Sequence, residues 1–218
     1  MNTQQYIIND ITAFDLTTKV SEVQNAFNQL TYSHIPVTKD GVFEGAISEN
    51  DIHCYNAEKT LEAYQYSLES FHVKQNTNWL DILEAFALNN STIMPVLTEN
   101  YKYLGYYELS DIMNIFNDTP FLGESGGIIV IEKSTADYSF SEICQIVESN
   151  DAKILGVFVS KMENDITQIT IKVGHTGINA IVQTFRRYSY NIISNHKEDR
   201  FVEDLKKRSK YLDKYLKM

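Results

Sequence analysis

Two stretches of this chain carry one pattern in the same order. Residues 33–52 run Ser-His-Ile-Pro-Val-Thr-Lys-Asp-Gly-Val-Phe-Glu-Gly-Ala-Ile-Ser-Glu-Asn-Asp-Ile, and residues 92–112 run Thr-Ile-Met-Pro-Val-Leu-Thr-Glu-Asn-Tyr-Lys-Tyr-Leu-Gly-Tyr-Tyr-Glu-Leu-Ser-Asp-Ile. Pro36 and Pro95 stand 59 positions apart, whereas Gly45/Gly105 and Asp51/Asp111 stand 60 apart. One residue is therefore added in the turn between them. A duplicated unit of this length constrains the fold strongly: each copy is too small to bury its apolar face alone, so the two share a core.

Each copy begins with an amphipathic helix. Val20, Val23, Phe27 and Leu30 recur at helical spacing in the first, and Trp79, Ile82, Leu83 and Phe86 in the second. Ser21 with Gln24 reads as a capping box for the first helix. A short β-rich run ending in Pro-Val follows in each copy. Next come a turn (Lys39-Asp40-Gly41 or Thr98-Glu99-Asn100), a second strand, and a last helix opened by Ser48 or Ser110. The paired prolines suit strand positions that need a fixed φ and no N–H.

This pattern over roughly residues 1–120 resembles a tandem pair of cystathionine-β-synthase (CBS) domains, the Bateman module. The resemblance rests on the helix faces, Ile35-Pro36-Val37, Met94-Pro95-Val96, the two hairpins, Gly45, Gly105, Asp51 and Asp111. It implies clefts that bind adenosine-containing ligands: AMP, ADP, ATP or S-adenosylmethionine, as a regulatory ligand and not a required cofactor. The implied ligand-binding residues are Thr18, Val20, His34, Ile35, Pro36, Ser48, Asp51, Met94, Pro95 and Asp111. In that family a Ser or Thr followed three residues later by Asp holds the ligand, the Asp accepting from both ribose hydroxyls.

The chemistry is sound, because an ionised carboxylate takes two charge-assisted hydrogen bonds from a diol. A helix start offers free N–H groups to a phosphate. Ser48 and Asp51 match the motif. The second copy keeps Asp111 but has Glu108 where Ser or Thr is expected, and a Glu beside a phosphate repels it. Ser48-x-x-Asp51 is also an ordinary helix cap. His34 reads either as a ligand contact or as a hydrogen-bonded strand residue.

Asn117-Asp118-Thr119-Pro120 and Gly123-Glu124-Ser125-Gly126-Gly127 break the pattern. Beyond them Ile128–Ile131 reads as a buried strand. Ser139/Glu142 reads as a capping box before a helix bearing Phe140, Ile143, Cys144 and Val147. Leu155/Val157/Val159 and Ile169/Ile171/Val173 alternate as strands. Ile178, Ile181, Val182 and Phe185 mark another helix, and Asn191-Ile192-Ile193 a final strand. The order β-α-β-β-α-β is the ferredoxin-like plan.

After a CBS pair, this order resembles the ACT regulatory domain of acetoin-utilisation-type CBS–ACT proteins. Such domains pair with one another and bind amino acids, commonly with a Gly in the loop after the first strand. Here that loop, residues 132–138, has none, which favours a dimerising or structural role. The expected fold class is α+β. The expected division is CBS copies at 1–58 and 59–118, a linker at 119–126, an ACT-like domain at 127–195 and a charged helical tail at 196–218.

Composition narrows the partners. The chain carries a net charge of −10 over 218 residues, which opposes a nucleic-acid backbone. From His196 onward, eight Lys/Arg against five Asp/Glu make +3, leaving −13 for the rest. The tail reads either as a membrane- or nucleic-acid-touching helix or as one packed on its own acidic chain, its mixed charges favouring the latter.

No run approaches the ~18 apolar residues of a membrane span. Cys54 and Cys144 lie far apart, without metal-type spacing, as suits a reducing cytoplasm. The few nearby cations, Lys19 and Lys39, favour an AMP- or adenosine-like ligand over ATP. Seven tyrosines from Tyr55 to Tyr107 offer faces for a purine or for packing.

No nucleophilic triad or phosphate-cradling Gly loop is present, so an enzyme is not expected. A cytoplasmic, homodimeric ligand sensor acting on an unknown regulated protein is the leading expectation. A homodimeric scaffold with vestigial pockets is the alternative.

Overall fold

The computed structural model describes residues 3–174 and 177–194. The expected charged tail at 196–218 lies outside them. The chain divides into two compact units after Asn117.

In the first unit β1 (Phe14–Asp15), α1 (Val20–Phe27), β2 (His34–Lys39), β3 (Val42–Ser48) and α2 (Glu49–Ile52) form one copy. The second copy comprises β4 (Val73–Lys74), α3 (Trp79–Asn89), β5 (Ile93–Leu97), β6 (Tyr103–Glu108) and α4 (Leu109–Asn117). Each sheet has three strands, ordered β1-β2-β3 and β4-β5-β6.

The copies match residue for residue. Phe14 pairs with Val37 and Val73 with Val96, in parallel. Val37 faces Gly45 and Val96 faces Gly105, antiparallel. The two-residue strands β1 and β4 carry no periodic signal and were not expected.

Apolar faces drive the packing, and each copy closes a core of its own where a single shared core was expected. Val20, Val23 and Phe27 of α1 pack with Leu16, Ile35, Val37, Ile47, Ile52 and Leu61 in the first core. Ile82 and Phe86 of α3 pack with Val73, Met94, Val96, Tyr107, Ile112 and Ile115 in the second. Burying each such side chain contributes about 1.5–3 kcal/mol.

Three local details differ from expectation. Ser21 does not cap α1: Lys19 holds the N-cap position with no side-chain bond. The carbonyls of Lys59 and Ala57 accept from the N–H groups of Val20 and Ser21 instead, so tertiary contact replaces the capping box. Gln24 reaches the carbonyl of Ile52 at 2.8 Å. In the second copy the helix begins at Leu109, so Ser110 sits inside its first turn.

The second unit runs α5 (Pro120–Gly123), β7 (Gly127–Ser134), α6 (Phe140–Glu148), β8 (Ile154–Glu163), β9 (Ile166–Val173), α7 (Ile178–Arg187) and β10 (Asn191–Ile192). Its sheet order β10-β7-β9-β8 is wholly antiparallel, which is the ferredoxin-like arrangement. Alternating Ile169, Ile171 and Val173 are buried against Ile143, Val147, Ile181, Val182 and Phe185. Ser139 caps α6 through the Glu142 N–H.

Residues 119–126, expected as a linker, hold the helical turn α5. Phe121 of that turn lies edge-on to Phe158, over the space a side chain at Gly156 would fill.

Candidate functional site

The repeat brings three implied ligand residues to one place. His34 opens β2, and Ser48 ends β3 directly opposite it in the ladder. Ser48 then caps α2, its hydroxyl accepting from the Asp51 N–H at 3.1 Å. His34, Ser48 and Asp51 line a cavity of about 330 Å³ with Ser33, Glu49 and Asn50. Glu69, Asn89 and Asn90 complete it. Glu69 belongs to the segment joining the copies, and Asn89–Asn90 to the end of α3. The cavity is thus built from both copies.

Its far wall depends on how α3 stops. Asn90 takes a left-handed conformation (φ 48°), which Asn tolerates better than most residues. Glu69 is held by a two-residue ladder, exchanging backbone hydrogen bonds with Ala46 at 2.7 and 2.9 Å. Gly45 is required beside that ladder: a Cβ there would meet Leu68 Cβ at 2.7 Å.

His34 is almost wholly buried, 6% exposed. Its Nδ1 lies 2.8 Å from Ser33 Oγ and its Nε2 3.2 Å from the Glu69 carboxylate. Phe71 packs edge-on against the ring. The imidazole therefore ties the strand to the joining segment.

The lining carries three carboxylates, from Glu49, Asp51 and Glu69, and neither Lys nor Arg. Lys19, expected as a nearby cation, faces Glu58 at 4.0 Å instead. Such a cavity offers hydroxyl, amide and carboxylate acceptors to a polyol, and its charge opposes polyphosphate.

The remaining implied residues lie elsewhere. Val20 and Ile35 are core residues with no exposed surface, and Met94 is the same in the second copy. Pro36 and Pro95 are buried within β2 and β5, facing Ala46 and Tyr106. Thr18 is half-buried, its carbonyl accepting from the Leu61 N–H at 2.9 Å. Asp111 is half-buried in the first turn of α4.

Apolar positions in a strand whose both faces are covered go to the core, so only the polar members remain at the cavity. Sequence reasoning missed Ser33, Glu49, Asn50, Glu69, Asn89 and Asn90. Glu49 and Asn50 lie inside the Ser48–Asp51 motif, but the two Asn come from the other copy and carry no local signal.

Among the described residues, no group of three or more His, Cys, Asp or Glu is placed to hold a metal. No described helix is long and apolar enough to cross a membrane.

Comparison with known proteins places this geometry in context. No curated protein matches the chain in sequence. Among solved structures, the chain is similar to a CBS domain pair/ACT domain protein from Thermotoga maritima. That similarity has 20% identity and a TM-score of 0.49, covering 53% of this chain and 96% of that one. It is also similar to the CBS domains of a transcriptional regulator from Streptococcus pneumoniae, at 17% identity and a TM-score of 0.47, covering 52% and 98%.

A third similar structure, CBSX2 in complex with AMP, has 14% identity and a TM-score of 0.45, covering 53% and 95%. In sequence, residues 4–55 match the CBS domain family model. Pro36, Gly45, Ser48 and Asp51 all fall within that matched span.

Proposed function

We propose that the first unit is a regulatory sensor for an adenosine-type ligand, bound in the cavity at Ser48 and Asp51, and that the protein performs no chemistry on it. The observation that carries this reading is the meeting of His34, Ser48 and Asp51 around a cavity of about 330 Å³, inside the segment matched by the CBS family model.

Asp51 accepts the ribose diol. Asn50, Asn89 and Asn90 supply amide donors and acceptors. The three carboxylates of the lining rank the ligands: adenosine and AMP bind ahead of ADP, and ATP last. S-Adenosylmethionine, whose sulfonium is cationic, belongs with the favoured group.

A ligand seated here touches both copies and the segment joining them. It shifts the equilibrium between conformers only by its difference in affinity for them. The second unit serves as a dimerising or relaying element, and a separate regulated protein receives the signal.

Thermal unfolding against adenosine, AMP, ADP, ATP and S-adenosylmethionine tests the reading. A ligand at 100 times its Kd adds about 2.7 kcal/mol. The expected result is a rise in Tm for adenosine or AMP that declines along the phosphate series. Silence across all five sinks it.

A further inference from the structure

The register of the repeat identifies what should be a second cleft. In the first cleft Asn89 and Asn90 line the cavity together with Ser48 and Asp51, and Ser91 follows them in the chain. Ser91 is 4% exposed and its hydroxyl has no hydrogen-bond partner among the described residues. The Ser48 hydroxyl accepts from the Asp51 N–H. Both positions carry short side chains, no bond joins Ser48 to Ser91 among the described residues, and the cavity remains.

The same positions in the second cleft are occupied differently. The 59-residue offset places Tyr32 where Ser91 stands, and the 60-residue offset places Glu108 where Ser48 stands. The Tyr32 hydroxyl donates to the Glu108 carboxylate, bridging the two walls. Ser110 donates to the other Glu108 oxygen at 3.1 Å.

Tyr106 replaces Ala46 and is fully buried. Its hydroxyl donates to Asp10 and lies 3.4 Å from that of Tyr32, and the two rings meet edge-on at 5.7 Å. Two phenols thus stand at the positions equivalent to Ser91 and Ala46 of the first cleft's copies, and a charge-assisted hydrogen bond joins Tyr32 to Glu108.

We propose that the second cleft is closed by a Tyr32–Glu108 latch, so that each chain binds one adenosine-type ligand, in the first cleft alone. The identity of the ligand rests on the reading above; the closure does not. Closure also accounts for Glu108 at a position where a phosphate-binding site would need Ser or Thr: the carboxylate serves the chain's own phenol.

Two measurements test it. The first needs no ligand: urea unfolding of Tyr32→Phe, Glu108→Ala and the double variant. A latch predicts that the double variant loses clearly less than the sum of the two singles. Strict additivity overturns the proposal.

The second is calorimetric titration with adenosine. The wild type should bind one equivalent per chain, and Y32S/E108S, still folded by circular dichroism, should bind two. Two equivalents in the wild type overturn single occupancy, and one in the opened variant overturns the latch as its cause. If the wild type binds no adenosine while the unfolding energies are non-additive, the nucleoside reading fails and the closure is supported.

Discussion

Ser33 and Thr92, equivalent residues of the two copies, hydrogen-bond each other reciprocally. The Ser33 N–H donates to Thr92 Oγ1 at 3.0 Å, and the Thr92 N–H donates to Ser33 Oγ at 2.9 Å. The hairpins repeat the relation: the Phe43 N–H donates to the Tyr101 carbonyl and the Tyr103 N–H to the Gly41 carbonyl, at 3.1 and 3.2 Å. Like residues meeting like is what a local twofold between duplicated units produces. Ser33 also lines the cavity and contacts His34, which contacts Glu69. The cavity is therefore one hydrogen bond from the contact between copies.

Replacing Ser33 with Ala removes an acceptor shared by the Thr92 N–H and hydroxyl. The expected loss is about 0.5–1.5 kcal/mol. Thr92→Val should cost a similar amount, and the pair should be non-additive because the residues share partners. Urea unfolding of both singles and the double reads this directly.

Gly105 is fixed by sterics. Its φ is +151°, and a Cβ there would meet the Ile8 carbonyl oxygen at 2.3 Å, where Ile8 pairs with Tyr106. Gly105→Ala should destabilise the first unit by on the order of 1–3 kcal/mol. The substitution should also release residues 3–10, detectable as faster amide exchange at Ile8 than elsewhere in the unit. Unchanged exchange and unchanged stability contradict this account.

The second unit carries an acid-sensitive linkage. Glu142 accepts from the buried Tyr190 hydroxyl at 2.7 Å and from Lys133 at 2.9 Å. The Tyr190 bond, then the Lys133 bond, hold its carboxyl below the ordinary value of 4.5. A depressed carboxylate stabilises the fold above its unfolded pKa, and this contribution is lost as pH falls through the lower, folded value. Stability of the second unit should therefore decline below about pH 4.5. Glu142→Gln should flatten that part of the profile. Because Glu142 is about a third exposed, its contribution at neutral pH is set at about 1 kcal/mol.

The legible part of the fold was the part written in periodicity and punctuation. Val20/Val23/Phe27 and Ile169/Ile171/Val173 name their elements because one face of each is buried. Pro36/Pro95 and Gly45/Gly105 align the copies. Strands β1 and β4 escaped because two residues cannot show a period. The capping of α1 escaped because the carbonyls of Lys59 and Ala57 satisfy it from 39 and 36 positions away.

At the site, Ser48 and Asp51 were visible as a local motif. Glu69, Asn89 and Asn90 were not, since they reach the cavity only through the pairing of copies. The Tyr32–Glu108 bond spans 76 residues, and Glu108 alone signalled that the second cleft differs.

The central claim is that Asp51 holds the ligand's ribose. Calorimetric titration of AMP or adenosine into wild type and Asp51→Ala tests it most directly. Charge-assisted hydrogen bonds worth about 1.5–3 kcal/mol predict a Kd weakened roughly 10- to 150-fold in the variant, with its fold intact. An unchanged Kd would show that the ribose does not sit at Asp51.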